Sequence, residues 1–206
     1  MTTPEGREPR TRERLLTASY ACVARFGLGK TTIEDVAKES GISRATIYRY
    51  FPGGRDELLR EAVGWEMDRF FIRLAVAIDD APDFATALAE GLVFARHAIL
   101  EHAVLQKVLQ TEPERLLPFI TVESHRVEPL VAAYLVPMLE HERDLGRLRP
   151  GVGIGTAADY LARMTLSLIA NPGSIDFDDP AAVGRLVGAE LLGGILMGGG
   201  APAETP

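Results

Sequence analysis

The sequence predicts an all-α protein in which a small N-terminal domain precedes a larger helical domain. Small and apolar residues recur at helical spacing along most of the chain, as in the stripe Leu15, Ser19, Cys22 and Phe26. The 206 residues contain no long alternation of apolar and polar residues and no Asn-Gly hairpin signal, so strands are not expected. Hydrophobic residues make up 47% of the chain and charged residues 25%, which is typical of a globular protein rather than a disordered one.

The first two helices have recognisable start and stop signals. The first contains the stripe from Leu15 to Phe26 and ends at Gly27, because glycine commonly follows the last turn of a helix. Thr31 is followed three residues later by Glu34, a spacing that matches a capping box at the start of the second helix. Gly41 ends this second helix.

The third and fourth helices follow after short breaks. Ser43 caps the third helix, in which Ile47 is the apolar anchor against the second. The run Pro52-Gly53-Gly54 then breaks the chain. Asp56 lies at the positive end of the dipole of the fourth helix, which continues to about Ile78.

Four more helical patterns complete the chain. They cover residues 83–109, 127–145, 156–170 and 180–197, and proline- or glycine-containing segments separate them. Asp179 predicts the start of the last one, because it can cap a helix that has proline at its first position.

The segment from the second to the third helix has the spacing of a helix-turn-helix. Ala37 allows the helices to cross closely, Gly41 tolerates the positive φ of the turn, and Ile47 packs inward. With Ile47 turned inward, the remaining faces of the third helix carry Arg44, Ala45, Thr46, Tyr48, Arg49 and Tyr50. Guanidinium, phenol, hydroxyl and methyl groups suit phosphates and base edges of DNA, so we expect DNA contact here. A solvated helix face is the alternative.

Charge is unevenly distributed along the chain. The whole sequence holds 22 basic and 29 acidic residues, for a net charge of −7. Residues 1–60 hold 11 basic and 8 acidic residues, whereas the remainder holds 11 and 21. This distribution indicates a polyanionic partner for the N-terminal segment alone, although a chance cluster of solvated arginines would give the same pattern.

The run from Thr31 to Phe51 closely resembles the DNA-binding domain of the tetracycline-repressor (TetR/AcrR) family of bacterial transcriptional regulators. The resemblance extends back to about Thr11 and forward to Leu59, about the first quarter of the chain. It implies a homodimeric all-α regulator, usually a repressor, that binds a near-palindromic operator in double-stranded DNA. It also implies release from the operator by a small apolar or amphipathic effector.

The resemblance also implies roles for individual residues. Thr32 would contact a phosphate at the start of the second helix, and Arg49 and Tyr50 would hold phosphates from the third. The residues that would face bases or the nearby backbone are Arg44, Ala45, Thr46 and Tyr48, with the cap residue Ser43 beside them. Arg55 matches a phosphate clamp at the start of the fourth helix, after a loop one residue longer than the family's common Lys-x-Lys form.

Four segments are therefore expected along the chain. Residues 1–10 form a disordered arm, and 11–57 a helix-turn-helix DNA-binding domain with its motif at about 31–51. Residues 58–197 form a ligand-binding and dimerisation domain, and 198–206 a disordered tail. The polar start of the sequence lacks the apolar run of a signal peptide, which predicts a cytoplasmic location.

The C-terminal domain is expected to bind the effector and to form the dimer. Aromatic and polar side chains could line an apolar cavity, although ordinary core packing uses the same residue types. The candidate ligand-binding residues are Trp65, Phe94, His97, His125 and Tyr134. Small residues four apart and apolar stripes on the last two helices suit self-association, with packing inside one chain as the alternative. The candidate dimerisation residues are Leu161, Met164, Leu168, Gly184, Gly188, Leu191 and Ile195.

Two other classes of function have weaker support. Asp176, Asp178 and Asp179 could bind Mg²⁺ in a helical metal-dependent enzyme, but a capping role for Asp179 explains this stretch more simply. The sequence shows no nucleophile with a base and no zinc-ligand spacing, so we predict no catalytic residue, metal or cofactor. A helical adaptor without a ligand is the third class. The single cysteine, Cys22, excludes a disulfide scaffold.

Overall fold

The computed structural model of the protein describes residues 7–112, 114 and 124–197. Within these residues the chain forms nine α-helices: α1 (Arg7–Phe26), α2 (Ile33–Ser40), α3 (Arg44–Tyr50), α4 (Gly54–Ala77), α5 (Phe84–Glu101), α6 (Ala103–Thr111), α7 (Ser124–Asp144), α8 (Ile154–Ala170) and α9 (Pro180–Leu186). A π-helical turn, Val187–Leu191, follows α9. The only β pairing in the described ranges is one antiparallel bridge between Leu148 and Leu196. The prediction of an all-α protein is confirmed.

The helices divide into two compact units. The first contains the described residues up to Arg73 together with the segment that begins at Glu101 and includes α6. The second contains residues 74–100 and 124–197. The expected boundary at residues 57 and 58 therefore differs from this division. The physical reason is that α6 packs against α1, which sequence periodicity within α6 cannot reveal.

The core of the first unit joins helices α1 to α4. Residues from all four helices, and Phe51 immediately after α3, form one buried apolar cluster. Its members are Leu15, Leu16, Ala18, Cys22, Ile33, Val36, Ile47, Phe51, Leu58 and Ala62. Ile47 is a member of this cluster and partly buried Ala37 packs against it, so the apolar anchor and the small residue lie where the helix-turn-helix spacing predicts them. This cluster fixes the orientation of α3 on α2.

Several helix ends differ from the expected ones. Helix α1 begins at Arg7, so residues 7–10 are helical rather than part of a disordered arm. The last α-helix ends at Leu186 instead of continuing to about Met197, because the backbone changes there to i→i+5 pairing, with the Leu192 N–H donating to the Val187 carbonyl at 2.9 Å. Residues 1–6 and 198–206, predicted to be disordered, lie outside the described residues.

His102 divides the helix that the sequence predicts over residues 83–109 into α5 and α6. Its Nδ1 accepts a hydrogen bond from the Leu105 backbone N–H at 3.0 Å, so the imidazole is the N-cap of α6. The ring also meets the Tyr20 ring of α1 edge to face, with 5.5 Å between centroids. Burial lowers the pKa of His102, against an opposing attraction from Glu66 and with a smaller lowering effect of Arg73. A neutral His102 therefore caps α6 where it packs on α1.

We expect the free energy of unfolding to depend on the protonation of His102. A protonated imidazole has no acceptor nitrogen, so the cap is lost. Because the folded-state pKa lies below the ordinary value of about 6.5, stability is complete above that pH and falls as pH decreases through the lowered pKa. The expected loss is on the order of 1 kcal/mol, the value of one helix cap. Urea unfolding at pH 7.5 and at pH values below 6 measures it. In the His102→Asn control, which keeps an acceptor that does not titrate, this part of the pH dependence disappears; an identical pH dependence in both proteins contradicts the assignment.

The second unit has its own core, in which α7 packs against α8. The Asp179 carboxylate accepts from the Ala181 N–H at 2.9 Å and Pro180 occupies the first turn of α9, which confirms the predicted helix start. At the end of α8, Arg96 of α5 donates to the Ile169 carbonyl at 2.6 Å. No helix in the described part of the chain is both long and apolar enough to span a bilayer.

Three of the seven candidate dimerisation residues lie in the core of this unit. Leu161, Leu191 and Ile195 are 0%, 3% and 6% exposed, so they pack within one chain and are not available to a partner. The sequence could not separate contacts within one chain from contacts with a partner, because both use the same apolar and small residue types. Gly184 is exposed, and a methyl group added at Gly184 or Gly188 would have no neighbouring atom within 4 Å.

Candidate nucleic-acid interface

Helices α2 and α3 form a helix-turn-helix whose turn is stabilised at both ends. Gly41 ends α2 in the left-handed conformation with φ of 66°, which glycine adopts without strain. The Ser43 hydroxyl accepts from the Thr46 N–H at 3.2 Å and caps α3 as predicted. From α1, Arg14 donates to the Ser40 carbonyl at 2.7 Å, so the end of α2 is held by a second helix. The orientation of α3 is therefore fixed by caps as well as by core packing.

The capping box of α2 lies one residue later than predicted. Thr32, not Thr31, is the N-cap, and it exchanges hydrogen bonds with Asp35 through the backbone N–H groups of both residues. The Thr32 hydroxyl also donates to the Asp35 carboxylate at 2.6 Å, and these hydrogen bonds hold the pKa of Asp35 below its ordinary value. Thr31 is buried instead, and its hydroxyl donates to the Gly27 carbonyl.

The two faces of α3 differ as the helical spacing predicts. Ile47 and the following Phe51 are 0% exposed and lie in the core. The exposed residues are Ser43, Arg44, Ala45, Tyr48 and Arg49. Thr46 is half-buried, and its hydroxyl lies 2.9 Å from that of Ser43. Tyr50 is also half-buried, because its ring packs against the core and the Arg49 guanidinium lies 5.4 Å from the ring centroid.

Tyr48 lies against the start of α4. Gly54 has φ of 68°, and a methyl group there would lie 3.3 Å from Cε1 of the tyrosine ring. The backbone of Gly54, at the end of the Pro52-Gly53-Gly54 run, therefore lies against this ring. Tyr48 remains 45% exposed. Its ring therefore lies against the start of α4 on one side and is accessible at the surface on another.

One acidic residue lies beside the outer face of α3 although none belongs to α3 itself. Glu34, in the first turn of α2, forms an ion pair with Arg44 at 2.7 Å between Oε1 and Nη1. Both side chains are 60% exposed. The helical spacing of α3 does not reveal this acid, because Glu34 belongs to α2. The sequence does contain a signal for this pair, because Glu34 is in the first turn of α2 and Arg44 is in the first turn of α3, two exposed turns of the same motif.

Arg55 holds the loop between α1 and α2. Its Nε donates to the Thr31 carbonyl at 2.6 Å, and Nη2 donates to the Leu28 carbonyl. Nη1 forms an ion pair with the neighbouring Asp56 at 2.8 Å. The phosphate role that the resemblance implies for Arg55 is untested, but all three nitrogens of its guanidinium already have partners within the protein.

The same loop is held from its other side by α6. The residue after α6, Glu112, accepts hydrogen bonds from the Gly29 N–H at 2.8 and 3.2 Å through its two carboxylate oxygens. A carboxylate oxygen also occupies the position that a side chain on Gly27 would take, and Gly27 itself has φ of 87°. Glu112 was not predictable as a partner of this loop, because no local pattern connects residues 83 apart in the chain.

The candidate ligand-binding residues are not brought together as one group. Trp65 belongs to the first unit, where it packs against the core and lies under Arg69 at 4.6 Å from the ring centroid. His97 belongs to the second unit, and its Nε2 lies 3.0 Å from the Asp178 carboxylate. Phe94 and Tyr134 are half-buried in that unit, and burial raises the pKa of Tyr134. The side chain of His125 lies outside the described residues. Their ligand-binding role stays a prediction.

The aspartates near the start of α9 have separate local partners. Asp176 accepts from the Asp178 N–H at 2.9 Å, Asp178 meets His97, and Asp179 caps α9. These partners account for the cluster by turn and cap hydrogen bonds. Across the described ranges, no three His, Cys, Asp or Glu side chains are grouped so that they could hold a metal ion.

The chain is similar to known bacterial regulators. Residues 15–62 match the family described as bacterial regulatory proteins, tetR family. Over 106 residues the chain is 31% identical to the HTH-type transcriptional repressor KstR2 of Mycobacterium tuberculosis, a match that covers 51% of this chain and 52% of KstR2. Over 54 residues it is 43% identical to an uncharacterized HTH-type transcriptional regulator of the same species, which covers 26% of this chain and 28% of that protein.

The fold is similar to that of SmeT of Stenotrophomonas maltophilia, solved in complex with triclosan. The TM-score is 0.59 at 22% identity, over 96% of this chain and 97% of SmeT.

The chain spans 28% and 52% of the lengths of the two curated relatives above. The family match over residues 15–62, the capped helix-turn-helix and the all-α fold agree with one another. Residues 15–62, which contain the helix-turn-helix, therefore match the tetR family of bacterial regulatory proteins.

Proposed function

We propose that this chain is a DNA-binding transcriptional regulator that acts as a repressor. The observation that carries the proposal is the outer face of α3, where Arg44, Ala45, Tyr48 and Arg49 are exposed on a helix without acidic residues. Such side chains bind phosphates and base edges when a recognition helix lies in the major groove. The name of KstR2 as a transcriptional repressor supports the direction of regulation.

The proposal includes a homodimer that binds a near-palindromic operator. One helix-turn-helix makes few base contacts, whereas two can read half-sites one helical turn, about 34–36 Å, or a multiple of it apart. A methyl group added at Gly184 of α9 or at Gly188 of the π-helical turn would meet no atom within 4 Å, which supports close approach of a second chain. Met164 and Leu168 of α8 are half-buried and stay candidates for this interface.

The proposal also includes release by a small apolar or amphipathic effector. The structure of SmeT with triclosan supports a small-molecule partner for a chain of this fold. An effector that binds the DNA-free state more tightly shifts the population off the operator by no more than that difference in affinity. Effector and operator would then weaken each other's binding equally. We expect this activity in the cytoplasm, with no metal or cofactor required.

The test is DNA binding by the full chain. Duplexes enriched by the wild-type protein from a random pool provide the probe, and its affinity is measured over a range of salt concentrations. We expect Arg49→Ala to weaken binding and to reduce the log–log salt slope by about one, because one phosphate contact is lost. The matched control is Arg163→Ala, which removes an exposed arginine of α8 in the second unit.

Two results would contradict the proposed function. One is a wild-type chain that enriches no duplex above the input pool. The other is an Arg49→Ala variant whose affinity and salt slope equal those of the wild type, since the outer face of α3 would then not meet DNA.

A further inference from the structure

The Arg44–Glu34 ion pair places a negative charge on the surface that is proposed to meet DNA. Arg44 is the first residue of α3, and Glu34 lies in the first turn of α2. The 2.7 Å contact occupies one N–H of Nη1, and the guanidinium retains its other donors. Because both side chains are exposed, the ion pair itself adds little to folding. The ion pair is therefore expected to influence which groups of DNA Arg44 binds more than it influences the stability of the fold.

A carboxylate beside Arg44 does not affect all DNA contacts equally. A phosphate carries a full negative charge, and at physiological salt it is repelled by a carboxylate within the Debye length of about 8 Å. The O6 and N7 acceptors of guanine carry no net charge, and a guanidinium can meet both at once. Phosphate contacts are independent of sequence, whereas base contacts carry the sequence information. A penalty on the first kind alone raises the ratio of specific to non-specific binding.

We infer that Glu34 is a specificity-determining residue that positions Arg44 for a base edge and opposes its use on phosphate. The inference rests on the proposed DNA-binding function and adds a residue outside the recognition helix to the reading surface. The Glu34 carboxylate lowers the affinity for DNA of arbitrary sequence, because it opposes contact between Arg44 and a phosphate. It also holds the Arg44 guanidinium in a position where the uncharged O6 and N7 acceptors of guanine are the favoured partners.

Glu34→Gln tests this inference on the full chain with two probes. One is the duplex enriched by the wild type, and the other is a scrambled duplex of the same length and composition. We expect the variant to bind the scrambled duplex about threefold to tenfold more tightly, with a log–log salt slope steeper by about one, because Arg44 can then hold a phosphate. The ratio of the two affinities falls by a similar factor.

The matched control is Glu39→Gln. Glu39 is on the same helix, and its carboxylate pairs at 3.2 Å with Arg25 of α1 rather than with the recognition helix. Both variants remove one negative charge from α2, so a general electrostatic effect would change them equally. A second control repeats Glu34→Gln in an Arg44→Ala background, where the affinity ratio should change by less than about twofold if the two residues act together.

The possible results either support the role of Glu34 or overturn it. A fall in the affinity ratio confined to Glu34→Gln with Arg44 present supports the inference. An unchanged ratio, an equal fall in Glu39→Gln, or a fall that persists without Arg44 overturns it while leaving the proposed function intact. A wild-type chain that enriches no duplex overturns the proposed function itself.

Discussion

Phe51→Ala is expected to lower the free energy of unfolding by about 3–5 kcal/mol, the usual cost of removing a buried phenylalanine ring. Phe51 is 0% exposed and lies in the cluster that joins α1 to α4. The Arg12 guanidinium covers its ring at 5.1 Å from the centroid and also forms an ion pair with Glu61 of α4. Truncation would leave a cavity beneath α3, so the outer face would lose its fixed orientation together with the stability.

Phe26→Ala is the matched control for this prediction. Phe26 ends α1 and is 39% exposed, so the same chemical change should cost less than about 1 kcal/mol. Urea unfolding followed by circular dichroism measures both variants against the wild type. Equal losses in the two variants would show that Phe51 does not anchor the helix-turn-helix. Because natural domains are stable by only about 5–15 kcal/mol, the Phe51 variant should also lose DNA binding near physiological temperature.

Arg55→Met is expected to lower the free energy of unfolding by about 3–6 kcal/mol, although it removes a residue that the family resemblance assigns to DNA. The guanidinium donates to the carbonyls of Leu28 and Thr31, and hydrogen bonds from a charged donor each contribute about 1.5–3 kcal/mol. Methionine keeps much of the aliphatic packing but donates no hydrogen bond. The matched control, Arg60→Met, changes an exposed arginine of the same helix and should be nearly neutral.

The two roles of Arg55 make different predictions for DNA binding. If the arginine holds the loop, the variant loses stability and the salt slope of its remaining binding stays close to that of the wild type. If it is a phosphate clamp, the slope falls by about one with little change in unfolding. We expect the first result. A salt slope reduced by about one in a variant of unchanged stability would contradict the role derived from the hydrogen bonds.

Features determined by neighbouring residues were predictable from the sequence. Ser43 caps α3, Gly41 takes the left-handed conformation, and Asp179 caps α9 before a first-turn proline, as expected. Each of these signals acts over three or four residues, where spacing alone decides which groups meet. The inward position of Ile47 followed for the same reason, because helical geometry fixes it relative to the rest of α3.

Features that depend on tertiary packing were not predictable in the same way. Two overlapping Thr-x-x-acid patterns, Thr31 with Glu34 and Thr32 with Asp35, fit a capping box equally well. The second forms because Ile33 and Val36 must both face the core, which sets the phase of α2. The Arg44–Glu34 pair and the loop contacts of Glu112 join residues distant in sequence, so periodicity within one helix does not contain them.

The most direct measurement of the central claim places a DNA-cleaving probe on α3. Ala45→Cys introduces a thiol on the exposed outer face, and the chain's single native cysteine, Cys22, is buried, so iron-EDTA can be attached selectively. The control places the same probe on the exposed Glu90 of α5 through Glu90→Cys. With a duplex enriched by the wild type, we expect cleavage from position 45 in two clusters related by the symmetry of an inverted repeat. Cleavage that is absent, or the same from both positions, would contradict the claim that this face lies in the grooves of DNA.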